Sequence, residues 1–494
     1  MVDISGLLGG IDVVFSMSGL LFVSLGVFLG ILIGATPGLS PSMGVALLVP
    51  LSFRMEPEIA FVFFVAVYQA SNYGGSITAI LLNAPGTPSS VVTAMDGYPL
   101  ARKGFATKAL FYAVFSSALG GLIGGVLLIL FTAPIAQVGL VFGPAEYFAL
   151  ALLGLSTVIG FYKGPVSKAL IALSLGLLLS TIGTDPITGQ ERLTFGLIDL
   201  YDGVSFIPVM IGFFALGEIF SRVEEDYLEH SEPTRLEKVT TQIRSVWANR
   251  RMVFRPLLQS SLMGTFIGVI PGAGSAVASF LAYGQAASYA DDRSEYGDGA
   301  ISGVVASEAA NSSSVGGALV PLVSLGIPGS ATDAVLLGAL ALHGLAVGPE
   351  LIHTEPRLVY GIFVAVLLAN IVIFLFGLYG NALFILVTRI SPRVLYPMIL
   401  CLSLTGSYTI RNAMIDCWIC LIAGALGWLA KRQGIPAAPI ILGLVLGSLL
   451  EMNFRRALLM GGVHLFLERP IALVLLALSL FCLVAPFIRS RGER

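Results

Sequence analysis

An apolar run of more than twenty residues near the start of the chain ends in two helix breakers, Pro37 and Gly38, within ILIGATPGLSPS. The same interruption recurs in the second half of the chain at Pro271 and Gly272, within FIGVIPGAGSAV. Proline lacks a backbone donor and glycine adopts dihedral angles that other residues avoid, so either one ends or bends a helix. The pattern predicts membrane-length helices that are interrupted in matching places.

The composition indicates a membrane protein. Of the 494 residues, 56% are hydrophobic and 11% are charged, whereas soluble domains have roughly 45–50% apolar and about 25% charged residues. Apolar stretches of about 20 residues, the length that spans a bilayer, recur along the chain. The fold class is therefore predicted as an all-α polytopic membrane protein in the lipid bilayer. The net charge of −2 is dispersed over loops and argues against a nucleic-acid partner.

The chain divides into two related halves. One long polar stretch, residues 221–255, separates a first membrane repeat, residues 1–220, from a second, residues 256–494; we expect it to be a cytoplasmic linker or interface helix. At one constant offset, the first motif pairs Gly30, Gly34, Pro37 and Gly38 with Gly264, Gly268, Pro271 and Gly272. Further along, NYGGSITAILLNAPGTPSS matches SVGGALVPLVSLGIPGSAT. Two motifs in the same order indicate an internal repeat.

The charges of two equivalent loops indicate how the repeats are oriented. The loop after the second motif contains Arg102, Lys103 and Lys108 against Asp96 in the first half, but Glu350 and Glu355 against Arg357 in the second. Basic loops stay in the cytoplasm, so these two loops are expected on opposite sides of the membrane. The repeats are therefore predicted to have inverted topology, with discontinuous helices and re-entrant hairpins.

Broken helices at membrane depth predict a binding site. Irregular backbone survives there only when protein or a water-filled cavity surrounds it, and paired interrupted segments indicate the midplane site of a secondary transporter. No Lys or Arg occurs in residues 58–95, 256–290 or 300–349, so an anion would be held by backbone N–H groups and hydroxyls at helix ends. The candidate substrate-binding residues are Thr36, Pro37, Gly38, Ser40, Asn83, Pro85, Gly86, Thr87, Ser89, Pro271, Gly272, Gly274, Ser275, Pro328, Gly329, Ser330 and Thr332.

Import of such an anion requires a coupling ion. An inside-negative potential opposes entry by about 2.3 kcal/mol per charge per 100 mV, so a di- or tricarboxylate must travel with cations, either Na⁺ or H⁺. Polar runs beside the breaks offer hard oxygen ligands; a further cofactor is not expected. The candidate cation ligands are Ser71, Asn72, Gly75, Glu308, Asn311, Ser312, Gly317 and Asp333. An alternative interpretation places Glu308 at the membrane interface.

Other interpretations remain open at this point. Small-residue patterns such as Gly30 with Gly34 are typical of close helix packing, and a single Pro-Gly is typical of a kink. A channel could use the same re-entrant segments as a filter. A membrane-embedded enzyme is disfavoured because the chain has no Walker A, H-E-x-x-H or G-x-S-x-G motif.

The motifs GATPGLSPS, YGGSITAILLNAPGTPSS, PGAGSA, SEAAN and GIPGS resemble the large membrane subunit of the tripartite tricarboxylate transporters, the TctA family. The resemblance implies a symporter of carboxylates in the bacterial inner membrane, with a periplasmic solute-binding protein and a small membrane subunit as partners. It also implies a motif-bearing bundle that moves against a scaffold, as in elevator carriers. Ala84, Ser312, Ser313 and Asp333 depart from the family pattern, which leaves the substrate and coupling ion open.

The inverted orientation is testable with topology reporters. Fusions after Arg102 and after Glu350 are expected to report opposite sides of the membrane, because the two loops occupy equivalent places in oppositely oriented repeats. Alkaline phosphatase and green fluorescent protein activities measure the two locations. Reporters on the same side would contradict the orientation.

Overall fold

The structure, a computed structural model, describes residues 3–36, 39–83, 85–161, 165–185, 187–224, 246, 250–290, 292–380 and 392–492. The regular structure of these residues is helical except for one short antiparallel pair, β1 (Gly183–Thr184) with β2 (Glu191–Arg192). This agrees with the prediction of an all-α chain.

The helices of the first half begin at the chain's fourth residue. They are α1 (Ile4–Phe15), α2 (Met17–Ala35), α3 (Pro41–Leu48), α4 (Pro57–Leu82), α5 (Ser90–Leu100), α6 (Ala106–Gly139), α7 (Pro144–Phe161), α8 (Val166–Ser180), α9 (Phe206–Met210) and α10 (Gly217–Glu224). Short 3-10 turns occur at Val49–Arg54 and Ile198–Leu200, and π-helical turns at Ala101–Phe105 and Ile211–Leu216.

The second half repeats the order of the motif-bearing helices. Its helices are α11 (Arg250–Val269), α12 (Gly274–Ser288), α13 (Ile301–Leu325), α14 (Ala331–Leu342), α15 (Leu351–Thr354), α16 (Pro356–Tyr379), α17 (Pro392–Arg411), α18 (Met414–Arg432), α19 (Ala437–Gly461), α20 (His464–Glu468) and α21 (Pro470–Gly492), with a 3-10 turn at Arg293–Glu295. In both halves a long helix is followed by a break and a shorter helix, twice in succession.

By length and composition, four helical stretches of the described residues could cross a membrane: Met17–Ala35, Ser90–Gly139, Pro356–Tyr379 and Met414–Arg432. The long helices α4 and α13 are outside this set because polar residues, 69–76 and 307–314, interrupt their apolar sequence. These two helices are nevertheless among the most buried of the molecule. Polar groups inside a membrane protein normally face its interior and mark functional sites.

The first apolar run of the chain is not one helix. Ser16 separates α1 from α2, and its hydroxyl accepts a hydrogen bond from the N–H of Gly19 at 2.9 Å. A serine in this position caps the N-terminus of the helix that follows it. The hydrophobic pattern gave no sign of this break, because Ser16 lies among apolar residues on both sides.

Matching helices of the two halves pack through glycine. In each half the first motif helix runs parallel to the second: α2 to α4, and α11 to α13. The direction follows from the order of the glycine contacts, which advance together along both helices: Gly30 on Val67, Gly34 on Ser71, Gly264 on Ala310 and Gly268 on Ser314. Without side chains, these glycines bring the two backbones into contact, as is typical of small-residue interfaces in membranes. The interpretation of Gly30 and Gly34 as packing residues is confirmed.

The two halves run in opposite directions where they meet. Along α4, Gln69 donates to the carbonyl of Ser312 at 3.1 Å, whereas Ser76, farther along α4, donates to Glu308, which comes earlier on α13. The helices α4 and α13 are therefore antiparallel. Because α2 runs parallel to α4, and α11 runs parallel to α13, the motif helices of the two halves form two sets that point in opposite directions.

Helix α13 lies at the centre of the molecule. Its sequence is rich in Ser, Gly and Val, which are mediocre helix formers, yet nearly the whole helix is buried. The serine hydroxyls donate to carbonyls of the preceding turn, as Ser314 does to Asn311 at 2.7 Å and Ser324 to Val320 at 2.6 Å. Packing against α6 and α11, rather than intrinsic propensity, thus stabilises this helix.

Helices α1 and α16 pack against each other and against α2 and α4, whereas several other helices form a second group. Helix α7 packs against α19 and α21, α8 packs against α19, and α18 packs against α9 and α10. The short helices α3 and α14 contact each other and also touch this second group. Helices α3 and α14, which follow breaks in opposite halves, thus lie at the border between the two groups.

The predicted linker, residues 221–255, falls mostly outside the described residues. Of it, the structure describes residues 221–224 at the end of α10, residue 246, and residues 250–255 at the start of α11. The boundaries proposed for the two repeats and the linker therefore remain predictions.

A pair of glycine substitutions tests the close packing of α6 on α13. A Cβ atom added to Gly124 would lie 2.6 Å from the carbonyl oxygen of Ser313, whereas nothing lies within 4 Å of the corresponding position at Gly284 in α12. We expect G124A to lower the free energy of unfolding by about 1–3 kcal/mol, as overpacking does. G284A should be neutral or stabilising by up to about 1 kcal/mol. Thermal unfolding in detergent measures both, and equal stability of the two variants would contradict the packing.

Candidate functional site

The break after α4 folds back along its own helix. The chain leaves α4 at Asn83, whose left-handed backbone (φ 51°) is stabilised by donation of its N–H to Thr78. It then returns so far that the N–H of Gly86 donates to the carbonyl of Gly75 at 3.3 Å. Helix α5 consequently begins deep inside the molecule, at the level of Gly75. The chain therefore doubles back along α4; that the segment re-enters the membrane remains a prediction.

The break after α13 has the same form. Helix α13 ends at Gly326, with a left-handed φ of 71°, and the chain returns until Gly329 lies beside Ala318. There the carbonyl of Gly329 accepts a hydrogen bond from the N–H of Gly272 at 2.8 Å. The two breaks of the second half are thus bonded to each other, with Pro271 and Pro328 immediately before the bonded glycines.

In the first half, Gly86 packs in the equivalent manner on Gly34 and Gly75. Thr36, at the end of α2, donates its hydroxyl to Leu32 at 2.8 Å. Two predicted site residues of this break, Pro37 and Gly38, lie outside the described residues. Ala84, which departs from the family pattern, lies outside them too.

Two of the four helices that follow breaks, α3 and α14, have a capping side chain, and at a third, α5, a hydroxyl accepts from the N–H of the first helical residue. Ser40 accepts from the N–H of Met43 at 3.2 Å at the start of α3, and Ser330 accepts from the N–H of Asp333 at 3.2 Å at the start of α14. At α5, Thr87 and Ser90 each accept from the other's N–H, at 3.3 and 3.1 Å. These hydroxyls satisfy N–H groups that would otherwise face an anion.

Helix α12 is different, because within the described part of the chain no side chain caps its N-terminus. Gly272 and Gly274 both have left-handed backbones, with φ of 80° and 64°, and no atom of a described residue lies within 4 Å of the position that a Cβ on Gly274 would take. Ser275, the next residue, is half-buried. An uncapped helix N-terminus beside open space is suited to an anion. Of the predicted substrate residues, Gly274 and Ser275 therefore have the most favourable surroundings.

Hydroxyls from both halves meet near the break after α13. The hydroxyls of Ser42 and Thr332 lie 3.0 Å apart, as do those of Tyr68 and Ser330. The carboxylate of Asp333 is fully buried next to them, and neither of its oxygens has a hydrogen-bond partner in the ranges that the structure describes. This cluster joins α3 and α4 of the first half to α14 of the second.

Tyr68 is absent from the predicted site residues. An aromatic residue in an apolar helix is ordinarily a core residue, so nothing in the sequence distinguishes it. Two other predicted residues lie at the end of α4 and in the loop after it. The side chain of Asn83 is exposed, and the hydroxyl of Ser89 lies 3.1 Å from that of Thr87. Pro85 is half-buried in the same loop.

The predicted cation ligands do not form one cluster. Asn311 donates to the carbonyl of Asn72 at 3.2 Å, which brings these two together across α4 and α13. The side-chain oxygen of Asn311, Oδ1, is buried and accepts no hydrogen bond from any described residue. Ser71 donates to Val67 within its own helix, and the hydroxyl of Ser312 contacts that of Ser117 on α6.

Two predicted cation-ligand glycines serve close packing. A Cβ on Gly75 would lie 2.9 Å from the N–H of Thr87, and Gly317 contacts the backbone of Thr265. Glu308 and Asp333 lie in separate places: Glu308 bonds Ser76, whereas Asp333 lies by Tyr68, eight residues earlier and so roughly 12 Å lower on α4.

Asp96 was assigned to a loop from the sequence, but it is a buried residue of α5. Its Oδ1 accepts the N–H groups of Gly297, Gly299 and Ala300 at 2.7, 3.0 and 3.0 Å. The carboxylate therefore fastens α5 to the segment that leads into α13. The reason for the incorrect assignment is the neighbouring Gly97 and Pro99, which normally indicate a loop.

Comparison with known proteins gives consistent matches. Residues 20–442 match the model of the tripartite tricarboxylate transporter TctA family. An uncharacterised 52.8 kDa protein from the TAR-I ttuC' 3' region of Agrobacterium vitis is 37% identical over 458 residues, which cover 91% of this chain and 90% of that protein. A second uncharacterised protein, from the TAR-II ttuC' 3' region of Agrobacterium vitis, is 35% identical over 236 residues, 47% of this chain and 98% of that protein. No solved structure matches the chain.

Proposed function

This chain belongs to the tripartite tricarboxylate transporter TctA family, and we propose that it is the large membrane subunit of a cation-coupled importer of di- or tricarboxylates. In this proposal it lies in the bacterial inner membrane, receives substrate from a periplasmic solute-binding protein and works with a small membrane subunit. The single observation that carries the site assignment is the uncapped N-terminus of α12 beside the bonded breaks at Gly272 and Gly329.

The proposed substrate class follows from the electrostatics of that site. A helix N-terminus carries roughly half a positive charge equivalent, and its N–H groups point outward. No Lys or Arg occurs in residues 256–290 or 300–349, so backbone dipoles and the hydroxyls of Ser275, Ser330 and Thr332 would supply the attraction. Such a site binds a carboxylate reversibly, which a transporter requires because it must also release its cargo.

Alternating access is supported by the arrangement of the two halves. The motif helices α4 and α13 run antiparallel, as an inverted repeat requires. The helices divide into a motif-bearing group and a second group, and α3 and α14 lie at the border. We propose that the motif-bearing group moves against the second group, carrying the break regions across the membrane in the manner of an elevator.

Coupling to a cation is supported by uncompensated buried acids. The side chains of Glu308 and Asp333 are fully buried on or beside the broken helices, where an ionised carboxylate without a partner costs several kcal/mol. A cation bound at such a place would offset that cost and also the charge of the imported anion.

Substitution at the bonded breaks tests the proposed site. In G272L the left-handed backbone is unfavourable for leucine, and in G329L the added Cβ would lie 3.0 Å from the Cβ of Ala318. We expect each variant to reduce tricarboxylate uptake into proteoliposomes more than tenfold while remaining in the membrane. G284L is the control on α12, because open space surrounds Gly284.

Normal uptake by both G272L and G329L would contradict the assignment of the site. Saturable uptake that requires a cation gradient supports a carrier, whereas passive flux without saturation would favour a channel.

A further inference from the structure

Glu308 occupies the centre of a buried cluster of hydroxyl groups. Its side chain is 0% exposed. One oxygen, Oε1, accepts hydrogen bonds from Ser76 on α4 and from Thr93 on α5, both at 2.5 Å. The other oxygen, Oε2, is buried and has no hydrogen-bond partner among the described residues. Of the two hydroxyl donors, neither was among the residues predicted from sequence.

A third hydroxyl completes the cluster. The hydroxyl of Ser307 lies 3.1 Å from that of Thr93, and the carbonyl of Ser307 accepts a hydrogen bond from Ser279 on α12 at 3.2 Å. The cluster therefore joins α4 and α5 of the first half to α12 and α13 of the second. All of these oxygen-bearing side chains are buried.

Among the residues that the structure describes, no Lys or Arg pairs with this carboxylate. Helices α4, α5, α12 and α13 contain neither Lys nor Arg. The nearby Asp96 is engaged with backbone N–H groups, and Lys103 pairs with Asp298 at the surface. An isolated carboxylate away from water is too costly to remain uncompensated, so it must bind either a proton or a cation.

The hydrogen bonds favour a metal cation over a proton. Two hydroxyls that donate to Oε1 stabilise the ionised form of the carboxylate. A proton on Oε2 would create a buried O–H donor without an acceptor, which itself costs about 1–3 kcal/mol. A small cation at Oε2 has no need of an acceptor, and hydroxyl and carboxylate oxygens are the hard ligands that such ions prefer.

We propose that Glu308, with the hydroxyls of Ser76, Thr93 and Ser307, binds one Na⁺ ion, and that this ion is the coupling ion; the second part rests on the proposed transport function. The ion would hold α5 and α12, which both follow breaks, against α4 and α13. Its binding therefore organises the segments that form the carboxylate site, and its charge offsets that of the cargo.

Ion binding is tested on the purified full-length chain in detergent, independently of transport. A ligand that binds only the folded state raises the melting temperature in proportion to the logarithm of its concentration once the site is saturated. We expect NaCl to raise the melting temperature of the wild-type protein above that in choline chloride at the same ionic strength. Titration at pH 6, 7 and 8 separates the effect of Na⁺ from that of protons.

Three variants remove one ligand each: E308Q, S76A and T93V. We expect each variant to need at least tenfold more Na⁺ than the wild type for the same rise in melting temperature. Because T93V is isosteric, it still tests the site if E308Q does not fold. S324A is the matched control, because Ser324 is also a buried hydroxyl of α13 but bonds only Val320 within its own helix. It should respond to Na⁺ as the wild type does.

The outcomes separate this proposal from the transport proposal. Na⁺ stabilisation that is unchanged in E308Q and T93V would overturn the site, and so would stabilisation by protons with no response to Na⁺. If the variants lose Na⁺ stabilisation while the wild type shows no carboxylate uptake in proteoliposomes, the ion site stands and the transport function fails. If uptake by wild type and T93V has the same Na⁺ dependence, the ion is not the coupling ion.

Discussion

Every backbone N–H and C=O group inside a membrane protein must find a partner within the molecule, and this requirement governs how the helices of this chain are broken. The loop after α4 returns to its own helix, where Gly86 bonds Gly75, and the loop after α13 bonds the neighbouring break through Gly329 and Gly272. At the helices that follow breaks, hydroxyls cap α3 and α14 and accept from the first N–H of α5. The N-terminus of α12 remains without a side-chain cap, and it is this end that can accept an anion.

The central helices of the molecule contain acidic residues but no basic ones. In the proposed function, attraction for a carboxylate would come from dipoles, whereas Glu308 and Asp333 would supply negative charge for a cation; the central helices α4 and α13 contain no Lys or Arg. An importer working against a membrane potential needs this combination, because the anion alone is driven outward. Weak capture by dipoles and a cation that must arrive with the cargo together allow binding and release in one cycle.

The sequence predicted the all-helical fold, the paired breaks and the family, because proline and glycine have strong local effects and the repeat displays them twice. It did not predict the contacts between halves. Tyr68 reaches Ser330, and Ser76 and Thr93 reach Glu308, and these pairs depend on the antiparallel packing of α4 on α13. Asp96 was assigned to a loop because of Gly97 and Pro99, although α5 continues through both to Leu100. Local patterns could not identify these residues, since their partners lie some two hundred residues away.

The central claim is that helix ends created by proline and glycine hold the substrate. The most direct test is an experimental structure of the chain in a lipid bilayer with a bound tricarboxylate. The account predicts a substrate carboxylate within hydrogen-bond distance of the N–H groups of Ser275 or Ala276, with the break at Pro271 and Gly272 preserved. A substrate bound away from this helix end, or a continuous helix through residues 269–275, would contradict it.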